Sequence, residues 1–64
     1  MVLYNLYLVL INETIKIYDN ITQSIVYEGL SENIPLELMS ELVHDMTMVY
    51  EKDINEAYFL INLN

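Results

Sequence analysis

The first segment of the chain is apolar, and its hydrophobic positions follow helical spacing. The positions at that spacing are Leu3, Leu6, Tyr7, Leu10 and Ile11. They predict a short N-terminal helix over residues 3–11. A strand is the alternative, because Val9 and Ile11 are β-branched and the segment has few polar positions.

The next segment alternates between polar and apolar residues. Residues 14–18 place Ile15 and Ile17 on one side, and residues 24–28 repeat the pattern with Ile25 and Tyr27. A polar connection over residues 19–23 separates them. This arrangement predicts an antiparallel β-hairpin over residues 14–28, with the inward side formed by the four apolar residues. Gly29 closes the second strand, where we expect a positive φ.

The second half of the chain begins with a helix signal. Pro35 suits the first turn of a helix, where its missing N–H would be unpaired in any case. The side chains of that helix that could face a core are Leu36, Leu38, Met39 and Leu42.

Residues 43–51 allow two interpretations. A continued helix would place Val43, Met46, Val49 and Tyr50 at helical spacing. A strand would turn at residues 52–55 into a closing strand over residues 57–63. We choose the strand, because the closing strand needs an antiparallel neighbour of similar length. The predicted fold is therefore α+β: a short N-terminal helix, a β-hairpin, a short helix and a second β-hairpin that together form a small antiparallel sheet.

Composition changes this picture in two ways. The 64 residues allow a single small domain, residues 1–64, and the absence of Cys excludes disulfides and thiolate metal sites. Ten Asp and Glu against two Lys give a net charge of -8, although 55% of the residues are hydrophobic. Such a chain should fold into an apolar body with an acidic surface. Cysteine-free composition fits a reducing compartment, so we expect a cytoplasmic protein.

Charge also restricts the partners. With Lys16 and Lys52 and no Arg, the chain lacks the basic clusters that bind nucleic acid or anionic membranes. The apolar run over residues 2–11 is about half of the ~20 residues that span a bilayer, and no basic residue precedes it. A basic surface of another protein is the electrostatic complement that we expect.

Three short strings resemble a group of small uncharacterised acidic proteins of Firmicutes and their phages. The strings cover residues 15–19, 25–29 and 34–39, and they match patterns resembling I-x-I-Y-D, I-Y-x-G and I-P-x-x-L-L. This chain departs from the group between Val43 and Tyr50. The resemblance implies a second hairpin in the C-terminal part and an origin in a phage or mobile element. It implies no activity.

Candidate catalytic or metal-binding patterns are sparse. Glu41 and His44 form Glu-x-x-His, the helical spacing of carboxylate-bridged di-iron sites, but such sites need a second motif and further carboxylates. Three serines (Ser24, Ser31 and Ser40) could be proposed as nucleophiles with His44 as base, yet none lies in a Gly-flanked elbow. We therefore expect a protein that is not an enzyme and that has no catalytic residues, cofactor or metal.

A row of glutamates is the most suggestive feature. On the predicted helix Glu37 and Glu41 stand at i and i+4, and Glu28 and Glu32 lie just upstream. Like charges at this spacing destabilise a helix slightly, so folding does not require them. Their separation of about 6 Å is comparable to that of successive phosphates on a nucleic-acid strand. We therefore take these four residues as candidate partner-binding residues. The simpler interpretation is that they keep an apolar chain soluble.

The closing strand suggests self-association. Ala57, Phe59, Ile61 and Leu63 form one side of it, while Tyr58 and Leu60 on the other side are also apolar. A sheet with one wet face should alternate more cleanly, so the N-terminal helix or another copy of the chain should cover the second side. Tyr58 and Leu60 are the candidate self-association residues of a homodimer.

These observations favour a non-enzymatic interaction module of phage or mobile-element origin. Its sharpest form is an inhibitor that occupies a basic nucleic-acid-binding surface, as anti-CRISPR DNA mimics do. The alternative is a self-associating structural module whose acidity serves solubility.

Overall fold

In a computed structural model that covers residues 1–64, one short helix and four strands account for most of the chain. The elements are α1 (Leu3–Tyr7), β1 (Thr14–Asp19), β2 (Ser24–Leu30), β3 (Val43–Glu51) and β4 (Glu56–Leu63). Two single turns of 3-10 helix, Ser31–Asn33 and Leu36–Leu38, lie between β2 and β3. The α+β class predicted from the sequence is confirmed.

Both predicted hairpins are present, but they combine into a mixed sheet. β1 pairs antiparallel with β2 and β3 pairs antiparallel with β4, whereas β1 and β4 run parallel. The strand order is β2-β1-β4-β3, so the prediction of a wholly antiparallel sheet is wrong. The reason is topological: the connection from β2 to β3 carries the chain to the opposite edge, which leaves β4 beside β1.

The core lies on one face of this sheet. β1 contributes Ile15 and Ile17, and β4 contributes Ile61 and Leu63, all of them almost completely buried. From outside the sheet, the buried residues are Leu3, Leu6, Leu10 and Ile34. The N-terminal segment therefore covers the inward face predicted from the alternation of the strands. Leu10 follows α1 and continues its turn, since its N–H donates to the Leu6 carbonyl oxygen at 2.9 Å.

The first hairpin differs from prediction at one residue. The register shifts between Ile17 and Tyr18, so that Tyr27 faces Ile17 while Ile25 faces Tyr18. This bulge moves Ile25 to the opposite side of the sheet, where its side chain is exposed. The prediction that Ile25 points inward is therefore wrong. Gly29 has a φ of +151°, as its position at the end of the strand predicted.

The helix predicted from Pro35 is reduced to the single 3-10 turn Leu36–Leu38. The N–H of Leu3 donates to the Glu41 carbonyl oxygen at 2.8 Å, and the N–H of Tyr4 donates to the Met39 carbonyl oxygen at 2.9 Å. These N–H groups begin α1 and have no partner inside it. Residues 39–41 supply their carbonyls to α1 rather than to a helix of their own. Tertiary contacts thus override the local helix signal, and Leu36 and Leu42 are exposed.

Candidate functional site

One face of the sheet has no helix over it, and we call it the open face. In the two central strands it carries the residues that alternate with the buried ones: Lys16 and Tyr18 in β1, with Tyr58, Leu60 and Asn62 in β4. All of these side chains are half-buried. The candidate self-association residues Tyr58 and Leu60 therefore lie side by side along β4 on this face, which neither α1 nor the β2–β3 connection covers.

Lys16 is the centre of the open face. Its ammonium nitrogen lies 3.6 Å from Glu28 Oε2 and 3.8 Å from Glu51 Oε1. It also lies 4.4 Å from the centre of the Tyr58 ring, a cation–π contact. The Tyr58 hydroxyl donates to Glu51 Oε1 at 2.6 Å. We call these four residues the Lys16 cluster. Each of the four strands contributes one of them.

The cluster shifts two pKa values. Desolvation would lower the pKa of Lys16, but the charges of Tyr58, Glu28 and Glu51 outweigh it and raise that pKa above its ordinary value. The pKa of Tyr58 is raised mainly by its hydrogen bond to Glu51, with further contributions from burial and from the Glu51 charge. The arrangement therefore holds the ammonium and the phenol in their protonated forms. The donors and acceptors of the cluster bind one another. The cluster therefore links neighbouring strands of the sheet.

Sequence alternation could find only part of this cluster. It placed Lys16 on the side opposite Ile15 and Ile17, and Glu28 follows as its direct cross-strand neighbour in β2. Glu51 lies in β3, next to β4. Tyr58 is brought to Lys16 by the parallel pairing of β1 with β4. That pairing links residues more than forty positions apart, and no local pattern signals it.

The four glutamates of the predicted row do not lie on one element. Glu32 lies in the first 3-10 turn, Glu37 in the second and Glu41 in the stretch that precedes β3. Glu28 is on the open face, paired with Lys16. The i, i+4 spacing of Glu37 and Glu41 is lost because the helix is absent. The structure therefore keeps three of the four residues together along one segment and separates Glu28 from them.

The segment that carries those three is the connection over residues 31–42, which we call the acidic crossover. It crosses the sheet on the α1 side, with Ile34 buried in the core. The three glutamates Glu32, Glu37 and Glu41 are exposed, and none of them forms an ion pair. The crossover contains no basic residue. It presents uncompensated negative charge together with the apolar side chain of Leu36, which is 83% exposed.

The candidate catalytic residues lie apart. Glu41 and His44 are on the crossover and in β3, so they do not share a helix face. His44 Nε2 lies 3.8 Å from Asp45 Oδ2. No group of three or more His, Cys, Asp or Glu side chains is placed to hold a metal ion.

Two of the three serines form hydrogen bonds in the local structure. Ser31 is completely buried; its hydroxyl donates to the Leu10 carbonyl oxygen at 2.9 Å and accepts from the Glu13 N–H at 3.2 Å. It thus ties the start of the crossover to the segment before β1. The Ser24 hydroxyl pairs with that of Thr22 at 2.9 Å. Sequence reasoning missed the structural role of Ser31, since a lone serine in a polar stretch carries no signal for burial.

Two shallow grooves lie on the surface. The first, of about 200 Å³, is lined by Tyr7, Leu8, Leu10, Ile11, Asn12 and Glu32. The second, of about 380 Å³, is lined by Met1, Leu6, Val43, His44, Asp45 and Met46. The second groove adjoins the start of β3 at the free edge of the sheet.

Comparison with protein-family models, curated proteins and solved structures finds no match to this chain. The structure contains no helix of the length and apolarity needed to cross a membrane. The acidic crossover, the open face and the edges of the sheet are the surfaces available to a partner.

Proposed function

We propose that this chain is a non-enzymatic protein-interaction module that binds a basic surface of a host or phage protein through the acidic crossover. The observation that carries the proposal is the exposure of Glu32, Glu37 and Glu41 without any ion pair. By contrast, Glu28 and Glu51 are already paired with Lys16. The crossover is therefore a stretch that carries three exposed carboxylates without a basic partner.

The whole molecule supports binding at this surface. A net charge of -8 on 64 residues produces a long-range negative field, and such fields raise the association rate with a positively charged partner. Leu36, exposed among the glutamates, would supply the apolar contact that charge alone lacks. A polar rim around an apolar centre is the usual composition of a specific interface.

In its sharper form the proposal is that the partner surface normally binds nucleic acid and that the chain acts as an inhibitor of it. The net charge supports this form. The phosphate-like spacing of Glu37 and Glu41 no longer supports it, because the two residues do not share a helix. The chain would then mimic the density of negative charge on nucleic acid, but its carboxylates would not match the spacing of the phosphates.

The test has two steps. The chain is immobilised, proteins are captured from a lysate of a Firmicutes host at low and high salt, and the captured protein is purified. Displacement of labelled duplex DNA from that protein is then measured with the wild-type chain and with the Glu37→Gln/Glu41→Gln variant. We expect displacement by the wild type and a several-fold weaker effect of the variant. A matched control is Asp53→Asn/Glu56→Gln, which removes two charges at the β3–β4 turn. Equal displacement by both variants would contradict a role of the crossover.

A second candidate function is self-association as a structural module, and the open face is one candidate surface for it. Tyr58 and Leu60 lie on the side of the sheet that α1 leaves uncovered. The two functions respond differently to salt: binding to a basic partner weakens as salt rises, whereas association of two acidic copies does not. Sedimentation over a range of salt and protein concentrations separates them. A monomer at high micromolar concentration would exclude self-association.

A further inference from the structure

The outer edge of β3 is unusually open for pairing with another strand. β3 is nine residues long and forms one edge of the sheet. Its stretch over residues 46–50 contains no charge, Pro or Gly, and its pairing with β4 is regular from Asp45 to Glu51. Edge strands usually carry a charge, a Pro or a bulge that prevents such pairing. Here these devices lie toward the ends of the strand: the register with β4 shifts between Val43 and Asp45, and the acidic residues are Asp45 and Glu51.

The opposite edge of the sheet is protected by comparison. β2 contains the bulge beside Tyr18, which increases its local twist. It also contains the charged Glu28, and Gly29 near its end has a φ of +151°. A flat partner strand could not follow this edge over its full length. The contrast indicates that β3 is the edge where an intermolecular strand fits.

The N-terminus defines where the free edge of β3 begins. The Val43 N–H donates to the Met1 carbonyl oxygen at 2.8 Å, and Val2 forms an isolated antiparallel bridge with Leu42. These contacts occupy the outer side of the strand up to Val43. The free stretch therefore runs from His44 to Glu51 and is centred near Thr47 and Met48.

We propose that β3 pairs antiparallel with β3 of a second copy of this chain, about a two-fold axis at Thr47. The two four-stranded sheets then form one continuous sheet of eight strands. Regular pairing from Asp45 to Val49, beyond the register shift at His44, would supply about four to six backbone hydrogen bonds, since alternate residue pairs exchange two bonds each. The contact closes on itself, as a two-fold interface must.

Charge selects this register. In a continuous sheet, the side chains of directly opposed residues lie on the same face. The two-fold axis therefore passes between the two copies of one residue. An axis at Thr47 places Met46 opposite Met48 and Asp45 opposite Val49. An axis at Met48 would place Asp45 opposite Glu51, a pair of like charges that destabilises the contact on both sides of the axis. The Thr47 register avoids every directly opposed like-charge pair within the paired stretch.

The second groove favours a copy of this chain as the occupant. In the Thr47 register, Met48 of one copy lies opposite Met46 of the other, and Tyr50 lies beside the register shift at His44. Met46 and His44 line the groove of about 380 Å³ beside the edge. Met48 and Tyr50 are 67% and 59% exposed in the single chain. Each copy thus presents exposed apolar side chains where the other presents an apolar groove.

Packing of two open faces is a poorer solution. Glu28 and Glu51 border the open face, and Lys16 is already paired with both of them. Two such faces in contact would bring four carboxylates together with two ammonium groups. The edge contact keeps these groups in water, because a continuous sheet leaves both of its faces as they are in the single chain.

Single cysteines test the register, because the chain has no other Cys. Thr47→Cys and Met48→Cys are purified separately and oxidised with glutathione disulfide. At the two-fold axis the Cβ atoms of opposed residues lie about 4.5–5.5 Å apart, within reach of a disulfide, whereas the Met48 positions are diagonal neighbours. We expect Thr47→Cys to form a covalent dimer at least tenfold faster. Equal rates, or faster coupling of Met48→Cys, would overturn the proposal.

Sedimentation of reduced variants tests the edge itself. Met48→Lys places a charge at the centre of the free edge, and we expect it to raise the dimer dissociation constant at least tenfold. Leu36→Lys introduces the same charge at an exposed site on the crossover and should leave the dimer intact. Dimerisation of the wild type should strengthen with salt, because both copies are acidic. A wild-type monomer at high micromolar concentration, or equal effects of the two lysines, would overturn the proposal. Neither result bears on binding through the crossover.

Discussion

At the scale of single residues, the role of each polar group depends on the groups that it contacts within the chain. Lys16 is one of two lysines in the chain, and it is held by Glu28, Glu51 and the Tyr58 ring. The buried Ser31 hydroxyl serves two backbone groups and leaves no unpaired polar atom in the core. The exposed glutamates of the crossover have no comparable partner, and this difference is the basis of the proposed function.

The Lys16 cluster predicts a loss of stability in alkali. The pKa values of Lys16 and Tyr58 are raised in the folded state above their ordinary values of 10.5 and 10.0. A raised pKa contributes stability in full below the unfolded value, and the contribution is lost as pH rises through the folded value. The free energy of unfolding should therefore fall as pH increases above 10.0.

Denaturant unfolding as a function of pH checks this prediction in Tyr58→Phe. Without the titrating phenol, the stability of this variant should depend less steeply on alkaline pH than that of the wild type. Tyr50→Phe is the control, because it removes a hydroxyl that is bonded to Asn55 outside the cluster. Parallel pH profiles for the wild type and Tyr58→Phe would show that the cluster does not hold the phenol protonated.

At the scale of elements, the sequence pattern predicted the hairpins, whose strands are close together in the chain. The alternation of Ile15 and Ile17 predicted the first hairpin. The second hairpin was predicted because the closing strand needs an antiparallel neighbour of similar length. The strand over Val43–Glu51 was correctly preferred over a helix. The pattern could not predict the bulge that turns Ile25 outward, since a register shift depends on the partner strand.

Non-local contacts account for the remaining errors. The parallel pairing of β1 with β4 follows from the path of the crossover, which local sequence does not encode. The predicted helix after Pro35 is replaced by a 3-10 turn, because carbonyls of Met39 and Glu41 accept hydrogen bonds from α1. The predicted glutamate row depended on that helix. Its three downstream members stayed together only because the crossover is a short segment.

Two aliphatic side chains, Ile34 and Leu36, distinguish the observed crossover from the predicted helix. Ile34 is 6% exposed and Leu36 is 83% exposed, whereas the predicted helix placed Leu36 toward the core. We expect Ile34→Ala to lower the free energy of unfolding by about 2–5 kcal/mol. Leu36→Ala should change it by less than about 0.5 kcal/mol. Denaturant unfolding measures both, and a large effect of Leu36→Ala would restore the helical interpretation.

At the scale of the whole molecule, the core is small and the surface is acidic. The core consists of eight buried hydrophobic residues, while large apolar side chains such as Leu36, Met48 and Ile54 are exposed. A domain of this size buries only about 60% of its unfolded surface. A partner that covers some of the exposed apolar surface would stabilise the fold. Interaction is therefore favoured by the energetics of the chain as well as by its charge.

The central claim is that the acidic crossover recognises a basic partner, and the salt dependence of the association rate tests it most directly. With the captured partner, the rate for the wild type should fall steeply as salt rises. The rate for Glu37→Gln/Glu41→Gln should be reduced up to about tenfold at low salt and should approach the wild-type rate at high salt, because salt screens steering charges. Asp53→Asn/Glu56→Gln should have a smaller effect. An association rate that is unchanged by the crossover substitutions at every salt concentration would contradict the claim.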